Sequence, residues 1–199
     1  GTKPVANRLI DGLKRLEYRG YDSTGFAVLH DQEFLRLREP GKIVNLEKVF
    51  DQNKFPGDLG IAHTRWATHG APTQDNAHPH MTDKVALVHN GIIENHLILR
   101  QELETEGAVF TSQTDSEVIV HLLTREITQT HDPVKAVQKV VDRLEGAYAL
   151  GIIFQDFPKI LIGVRKGCPL AAGMQGDEKF LGSDAHTLST YCDHITFLE

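Results

Sequence analysis

The stretch Lys84-Val-Ala-Leu-Val-His89-Asn-Gly-Ile-Ile-Glu-Asn-His96 decides the reading of the fold. Its first six residues are a short apolar run of strand length, and a helix over 95–105 follows with Leu97, Leu99 and Leu103. Asn90-Gly91 stands between the two. Asn-Gly after a strand is a standard hairpin-turn signal. The same pair also sets a side-chain amide beside a backbone N–H that glycine leaves approachable, an arrangement able to stabilise a developing oxyanion. The residues alone leave both readings open.

Upstream, Leu59-Gly-Ile-Ala-His-Thr64 reads as a buried strand running into a polar stretch from Arg65 to Met81 with almost no apolar periodicity. A loop of that length is commonly functional or disordered. Nearer the start, Val5, Leu9, Leu13 and Leu16 form a helical stripe with Pro4 in its first turn and Lys14 and Arg15 near its end. Glu17 to Gly25 is expected as a loop, Phe26-Ala-Val-Leu29 and residues 33–38 as strands, and Ile43, Leu46, Val49 and Phe50 as one face of a short helix. Downstream, Thr114-Asp-Ser-Glu117 fits a capping box before Val118, Ile119, Leu122 and Ile127, and Pro133 opens a further helix. Strand-like runs return at Tyr148 to Phe154, Lys159 to Val164 and Ile195 to Leu198. Strands in groups and helices in groups predict an α+β fold, not a doubly wound parallel sheet.

The 199 residues suffice for one domain with a sizeable core. A net charge of −6 argues against a surface that gathers phosphates, so no nucleic acid partner is expected. No apolar run approaches the roughly 18–20 residues of a membrane span, and no leader pattern opens the chain. A cytoplasmic protein without a membrane partner is expected. Cys168 and Cys192 are too few for a disulfide framework and are expected as small core residues. The glutamates at 94, 102, 104 and 106 read as a solvated helix face, and Met81 and Met174 as packing residues. His78-Pro-His80, with His63, His69 and His89, raises a metal reading. No His-Glu-x-x-His or Cys-x-x-Cys motif accompanies it and no phosphate-binding glycine loop is present, so neither metal nor cofactor is expected.

The strongest chemical cluster is His63-Thr-Arg-Trp-Ala-Thr-His-Gly70, where an apolar strand meets the long loop. The planar guanidinium of Arg65 suits a small carboxylate through two parallel charge-assisted hydrogen bonds; the bland alternative is a surface arginine beside a packed Trp66. Asp115 is equally double-faced. A carboxylate in a first helical turn is favoured by the helix dipole alone, but it could also bind a ligand ammonium opposite Arg65.

Four motifs together resemble the glutaminase domains of glucosamine-6-phosphate synthases, class II glutamine amidotransferases of the N-terminal-nucleophile fold. They are Arg15-Leu-Glu-Tyr-Arg-Gly-Tyr-Asp-Ser23, Ile61-Ala-His-Thr-Arg-Trp-Ala-Thr-His-Gly70, Val88-His-Asn-Gly-Ile-Ile-Glu-Asn-His96 and Thr114-Asp-Ser-Glu-Val118. The resemblance covers nearly all of residues 1–199, read as one glutaminase domain. It implies a four-layer αββα sandwich in which Arg65 holds the α-carboxylate of L-glutamine and Asp115 its α-ammonium. Trp66, Thr68 and His69 would line a loop over the site, and Asn90 and Gly91 would form the oxyanion hole. In this family the nucleophile is the thiol of an N-terminal cysteine whose own α-amino group is the base. The released ammonia travels to a C-terminal sugar-isomerase domain of the same parent chain, which aminates fructose-6-phosphate.

The sequence opens Gly1-Thr-Lys-Pro4, without that cysteine. The expectation is a first strand of about six to eight residues preceding Gly1, isomerase domains following Glu199, and no activity without the nucleophile. Two other readings remain: a glutaminase domain serving a different acceptor, and a non-catalytic amino-acid-binding module.

Overall fold

The structure, a computed structural model, describes residues 3–67 and 70–199. The chain opens with helix α1 (Ala6–Arg15), strands β1 (Ser23–His30) and β2 (Glu33–Pro40), helix α2 (Ile43–Val49), and strands β3 (Leu59–Arg65), β4 (His80–Met81) and β5 (Val85–Ile93). Helices α3 (His96–Thr105), α4 (Ser116–Thr130) and α5 (Pro133–Val141) follow as a group. Strands β6 (Gly146–Phe154), β7 (Leu161–Lys166), β8 (Ala171–Gln175) and β9 (Glu178–Gly182), the short helix α6 (Ala185–Leu188) and strand β10 (His194–Phe197) close it. All named pairings are antiparallel, in sheets ordered β2-β1-β3, β4-β5-β6-β7 and β10-β8-β9.

Strand alternation builds the layers. Along β1, Phe26 and Val28 pack toward α1 and α2 with Ile10, Leu13 and Leu46, while Ala27 between them faces the other way. Along β5, Val85 and Leu87 pack toward α4 and α5, while Ala86 and Val88 face Ala27, Ile61 and Ile153. Because side chains alternate faces with period two, two sheets share a narrow inner layer and each buries its outer face under helices. The result is the αββα sandwich, an α+β fold as expected.

Several local expectations are corrected. Asn90-Gly91 is not a hairpin turn: Asn90 pairs with Ala149 and Gly91 with Tyr148, and the ladder runs on to Ile93 opposite Gly146. The long partner β6 overrides the local turn preference, and Gly91 supplies the φ of +122° found there. Strand β1 begins at Ser23, inside the expected loop, because paired strands flank it on both sides. Gly25 lies within it, where an added Cβ would come 2.3 Å from the His78 carbonyl oxygen. The capping box expected over Thr114 to Glu117 does not form: the N-cap of α4 is Asp115, which makes no side-chain cap bond. Instead Glu117 reaches back and accepts from Thr111 and Ser112 N–H at 2.8 and 2.7 Å and from the Ser112 hydroxyl at 2.6 Å.

The stretch 65–81 is not wholly irregular, since it ends in β4 and buries His78 and His80. Cys168 and Cys192 are half-buried and, among the described residues, belong to no core cluster. Glu102 is tied to Arg125 at 2.8 Å and to Arg143 at 2.5 Å, so that face is an ion-pair network and not merely solvated. Met81 does pack, against the inner layer, but Met174 is exposed. Among the described residues no helix is long and apolar enough to cross a membrane.

Candidate active site

The alternation that builds the layers also collects the site. On β3, Ile61 faces the inner layer, so His63 and Arg65, two and four residues on, project to the same side. On β5, Ala86 and Val88 face it too, and Asn90 follows in phase. The two strands therefore deliver His63 and Asn90 toward each other, and the His63 Nε2 lies 2.8 Å from the Asn90 Oδ1.

Strand β4 is only two residues long and covers β5 at Ala86 and Leu87. Beyond it the edge of β5 has no strand neighbour on that side among the described residues, and there the Ile93 N–H donates to Asp115 Oδ2 at 2.8 Å. N–H groups along a strand alternate in direction. The Gly91 N–H is therefore directed to the same uncovered edge as that of Ile93, away from β6. An added Cβ at Gly91 would lie 2.0 Å from the Ala147 carbonyl oxygen, so the backbone passes its neighbour too closely for any side chain.

Asp115 sits immediately before α4 with 4% of its surface exposed. Its other oxygen, Oδ1, is 3.5 Å from the Ser116 hydroxyl. That hydroxyl also lies 2.8 Å from His89 Nδ1 and 3.3 Å from His78 Nε2. Arg65, 5% exposed, donates to the carbonyls of Gly70 at 3.2 Å and Ala71 at 3.4 Å and lies 3.8 Å from Asp22 Oδ1. Burial lowers its pKa, opposed by the charges of Asp22 and Asp115. It is thus not the surface arginine of the bland reading, and Trp66 is not packed away. The indole is 68% exposed and rests on Gly20, where a Cβ would come 2.6 Å from the ring. Thr68 and His69 lie outside the described residues.

Arg65, Trp66, Asn90, Gly91 and Asp115 line one cavity of about 1020 Å³. A guanidinium, a carboxylate and an amide with a neighbouring N–H around one space are the groups needed to hold an amino acid at both α-substituents and to polarise its side-chain carbonyl. The cavity is larger than one amino acid needs. It extends as a cleft between β3 and β9, walled by Leu9, Leu161, Leu170, Leu181 and Leu188. Among the described residues, each of these strands pairs on one side only within its sheet.

The four histidines at 63, 78, 80 and 89 do come together, with the His63 and His78 rings 4.3 Å apart and those of His78 and His80 4.6 Å apart. Among the described residues no group of three or more His, Cys, Asp or Glu has an arrangement that could hold a metal ion. Burial pushes His63 down from 6.5 to about 4, against the opposing hydrogen bond with Asn90. It pushes His80 down to about 3, against the charge of Glu117. These are neutral, hydrogen-bonding rings. Sequence reasoning missed the places of Asp22, His63 and Ser116 in the site. For His63, its phase with Arg65 on one strand was an available signal.

With this geometry in view, the comparisons are specific. A family model described as a glutamine amidotransferase domain matches residues 63–190. The chain is 53% identical over 195 residues to a glutamine–fructose-6-phosphate aminotransferase (isomerizing) of Acinetobacter baylyi, covering 98% of this chain and 32% of that protein. It is also 53% identical to the enzyme of the same name from Agrobacterium fabrum, over 100% of this chain and 33% of the relative. It therefore spans about a third of the length of these relatives. A solved structure of glutamine phosphoribosylpyrophosphate amidotransferase from B. subtilis superposes with a TM-score of 0.82 at 26% identity, covering 95% of this chain and 41% of that one.

Proposed function

Because this chain belongs to the glutamine amidotransferase domain family, we propose that it binds L-glutamine in the cavity between β3 and β5 and hydrolyses its carboxamide to L-glutamate and ammonia. The observation that carries this reading is the convergence of Arg65, Asp115, Asn90 and Gly91 on one cavity. Arg65 grips the α-carboxylate and Asp115 the α-ammonium, which leaves the side-chain carbonyl beside the Asn90 amide and the Gly91 N–H. The Trp66 ring lines the same cavity.

The nucleophile in this reading is the thiol of an N-terminal cysteine on a strand ahead of Gly1, seated in the cleft between the unpaired edges of β3 and β9. Its α-amino group takes the thiol proton, sulfur adds to the carboxamide carbon, and the oxyanion forms against Asn90 and Gly91. The cysteine's α-ammonium returns that proton to the leaving nitrogen, and collapse expels ammonia and leaves a thioester. Water then hydrolyses the thioester to glutamate and regenerates the thiol. Neither Cys168 nor Cys192 can take this part, since an internal residue has no free α-amino group. The ammonia would pass to an isomerase domain of the same polypeptide and convert fructose-6-phosphate to glucosamine-6-phosphate in the cytoplasm. The name of the relatives and the third of their length that this chain matches support that step.

The test is glutamate release from glutamine by residues 1–199 with and without a preceding cysteine-led strand. Turnover is expected only with it. Equal turnover by both forms overturns the nucleophile assignment, and absence of glutamate binding by either overturns the site.

A further inference from the structure

Resting on the glutaminase reading, we propose that His63 is a positioning residue for the oxyanion-stabilising amide of Asn90. The contact between them is the 2.8 Å approach of His63 Nε2 to Asn90 Oδ1. A carboxamide oxygen has no hydrogen to give. With the amide set this way, the neutral ring carries its proton on Nε2 and donates to Asn90. With Oδ1 held on this side, the Asn90 NH₂ points to the other.

That orientation matters because an asparagine amide has two end-for-end settings of nearly equal shape and opposite polarity. One presents N–H donors to a developing oxyanion; the other presents an oxygen and repels it. Turning the amide over would set its NH₂ against the His63 N–H, donor facing donor, or would move the ring proton to Nδ1, a buried nitrogen with no hydrogen-bond partner among the described residues. His63 thus selects the productive setting without touching substrate.

The ring is itself held in place. It sits on β3 in the inner layer, 4.3 Å from the ring of His78 centre to centre. His78 is 3.3 Å from the Ser116 hydroxyl, which lies 3.5 Å from Asp115 Oδ1. A continuous set of contacts therefore links the carboxylate assigned to the substrate ammonium with the amide assigned to the oxyanion. Burial keeps His63 neutral well below pH 7, so the single N–H persists through the physiological range.

The experiment compares His63→Gln with His63→Asn in the cysteine-bearing enzyme. A glutamine amide N–H reaches about as far as Nε2, and an asparagine amide stops near the depth of Nδ1. Since losing a whole oxyanion donor costs roughly 10²–10³ in kcat, a partly misoriented one should cost about tenfold or more in His63→Asn, with KM within about twofold. His63→Gln should return to within about threefold of the parent. The Asn90 side-chain NH₂ signals in the ¹⁵N spectrum should keep their parent positions in His63→Gln and move in His63→Asn. Parental kcat in His63→Asn, equal losses in both variants, or a loss confined to KM overturns the proposal. An Asn90→Ala enzyme with the parent kcat would instead remove the oxyanion reading beneath it.

Discussion

Asp22 and Arg65 are joined two ways where β1 begins and β3 ends, and Asp22 also holds Ala67. The Asp22 N–H donates to the Arg65 carbonyl at 2.8 Å, its Oδ1 lies 3.8 Å from the guanidinium, and its Oδ2 accepts the Ala67 N–H at 2.5 Å. One carboxylate thereby orients the cation and anchors the turn that carries Trp66. Such a guanidinium is already positioned before an anion arrives, which lowers the ordering cost of binding. Arg65→Ala should weaken L-glutamate binding, measured by titration calorimetry, by roughly 2–5 kcal/mol, as for losing one partner of a buried charge pair. Affinity equal to the parent would remove Arg65 from the carboxylate role.

Gly91→Ala should be disabling to the fold as well as to the site. The new methyl would sit 2.0 Å from the Ala147 carbonyl oxygen at a φ of +122°. Strain at a glycine-only conformation and overpacking each cost on the order of 1–3 kcal/mol, so a combined loss of about 3 kcal/mol or more follows. For a domain of this size that is about 6–12 °C in Tm. Gly107→Ala is the control, because it shares the positive φ but meets nothing within 4 Å. Differential scanning calorimetry should separate the two, and equal losses would show that the close approach to Ala147 is not the cause.

These two positions mark where the sequence could be read and where it could not. The inner and outer faces of β1 and β5 follow from period-two alternation, and the grouping of helices after β5 follows from their stripes, so the layered architecture was accessible. Asn90-Gly91 misled because a turn preference is local, whereas the nine-residue pairing with β6 that overrides it is distant in sequence. Strands β8 and β9 escaped notice for the same reason. Ala171-Ala-Gly-Met-Gln175 has no β-branched or aromatic residue, and only its partners make it a strand. Arg65 and Asp115 could be nominated from their chemistry, but facing one cavity is a tertiary fact. The links from Asp22 to Arg65 and from His63 to Asn90 join residues 43 and 27 positions apart, and no short-range pattern announces them.

Acid should unfold the domain earlier than its carboxylates alone would dictate. Burial lowers His63 to about 4 and His80 to about 3, and it also lowers His78 and His89. In the unfolded chain these imidazoles titrate near 6.5. Between those values the unfolded state binds more protons, so stability is full above about pH 6.5 and is lost as pH falls toward 4. Glu117 adds a loss at lower pH: burial would raise it, but contacts from His121, Ser112 and Thr111 outweigh that and hold it low. Each unit of separation is worth about 1.4 kcal/mol per histidine, so the urea midpoint should fall clearly between pH 7 and pH 5. A flat midpoint over that range would mean the histidines are not buried together as found.

The cleft beside the site makes the last prediction. Strands β3 and β9 each present an unpaired edge to it, and the hydroxyls of Thr187 and Tyr191, which line it, are buried without a hydrogen-bond partner among the described residues. Unpaired edges and orphaned hydroxyls in an apolar slot favour the addition of an extended segment, which would gain main-chain hydrogen bonds on both sides. A synthetic peptide of about six to eight alternating small and apolar residues led by cysteine spans one strand and should bind residues 1–199 saturably, shifting the amide signals of Leu59 to Thr64 and Glu178 to Gly182. Glutamate release should appear in proportion to occupancy. A serine-led version should bind equally and stay inactive, separating strand addition from chemistry. A version with proline at its centre should not bind, because it lacks a ladder N–H. Binding of the proline peptide as tight as that of the parent, or signal shifts confined to other strands, would show that the cleft does not take a strand.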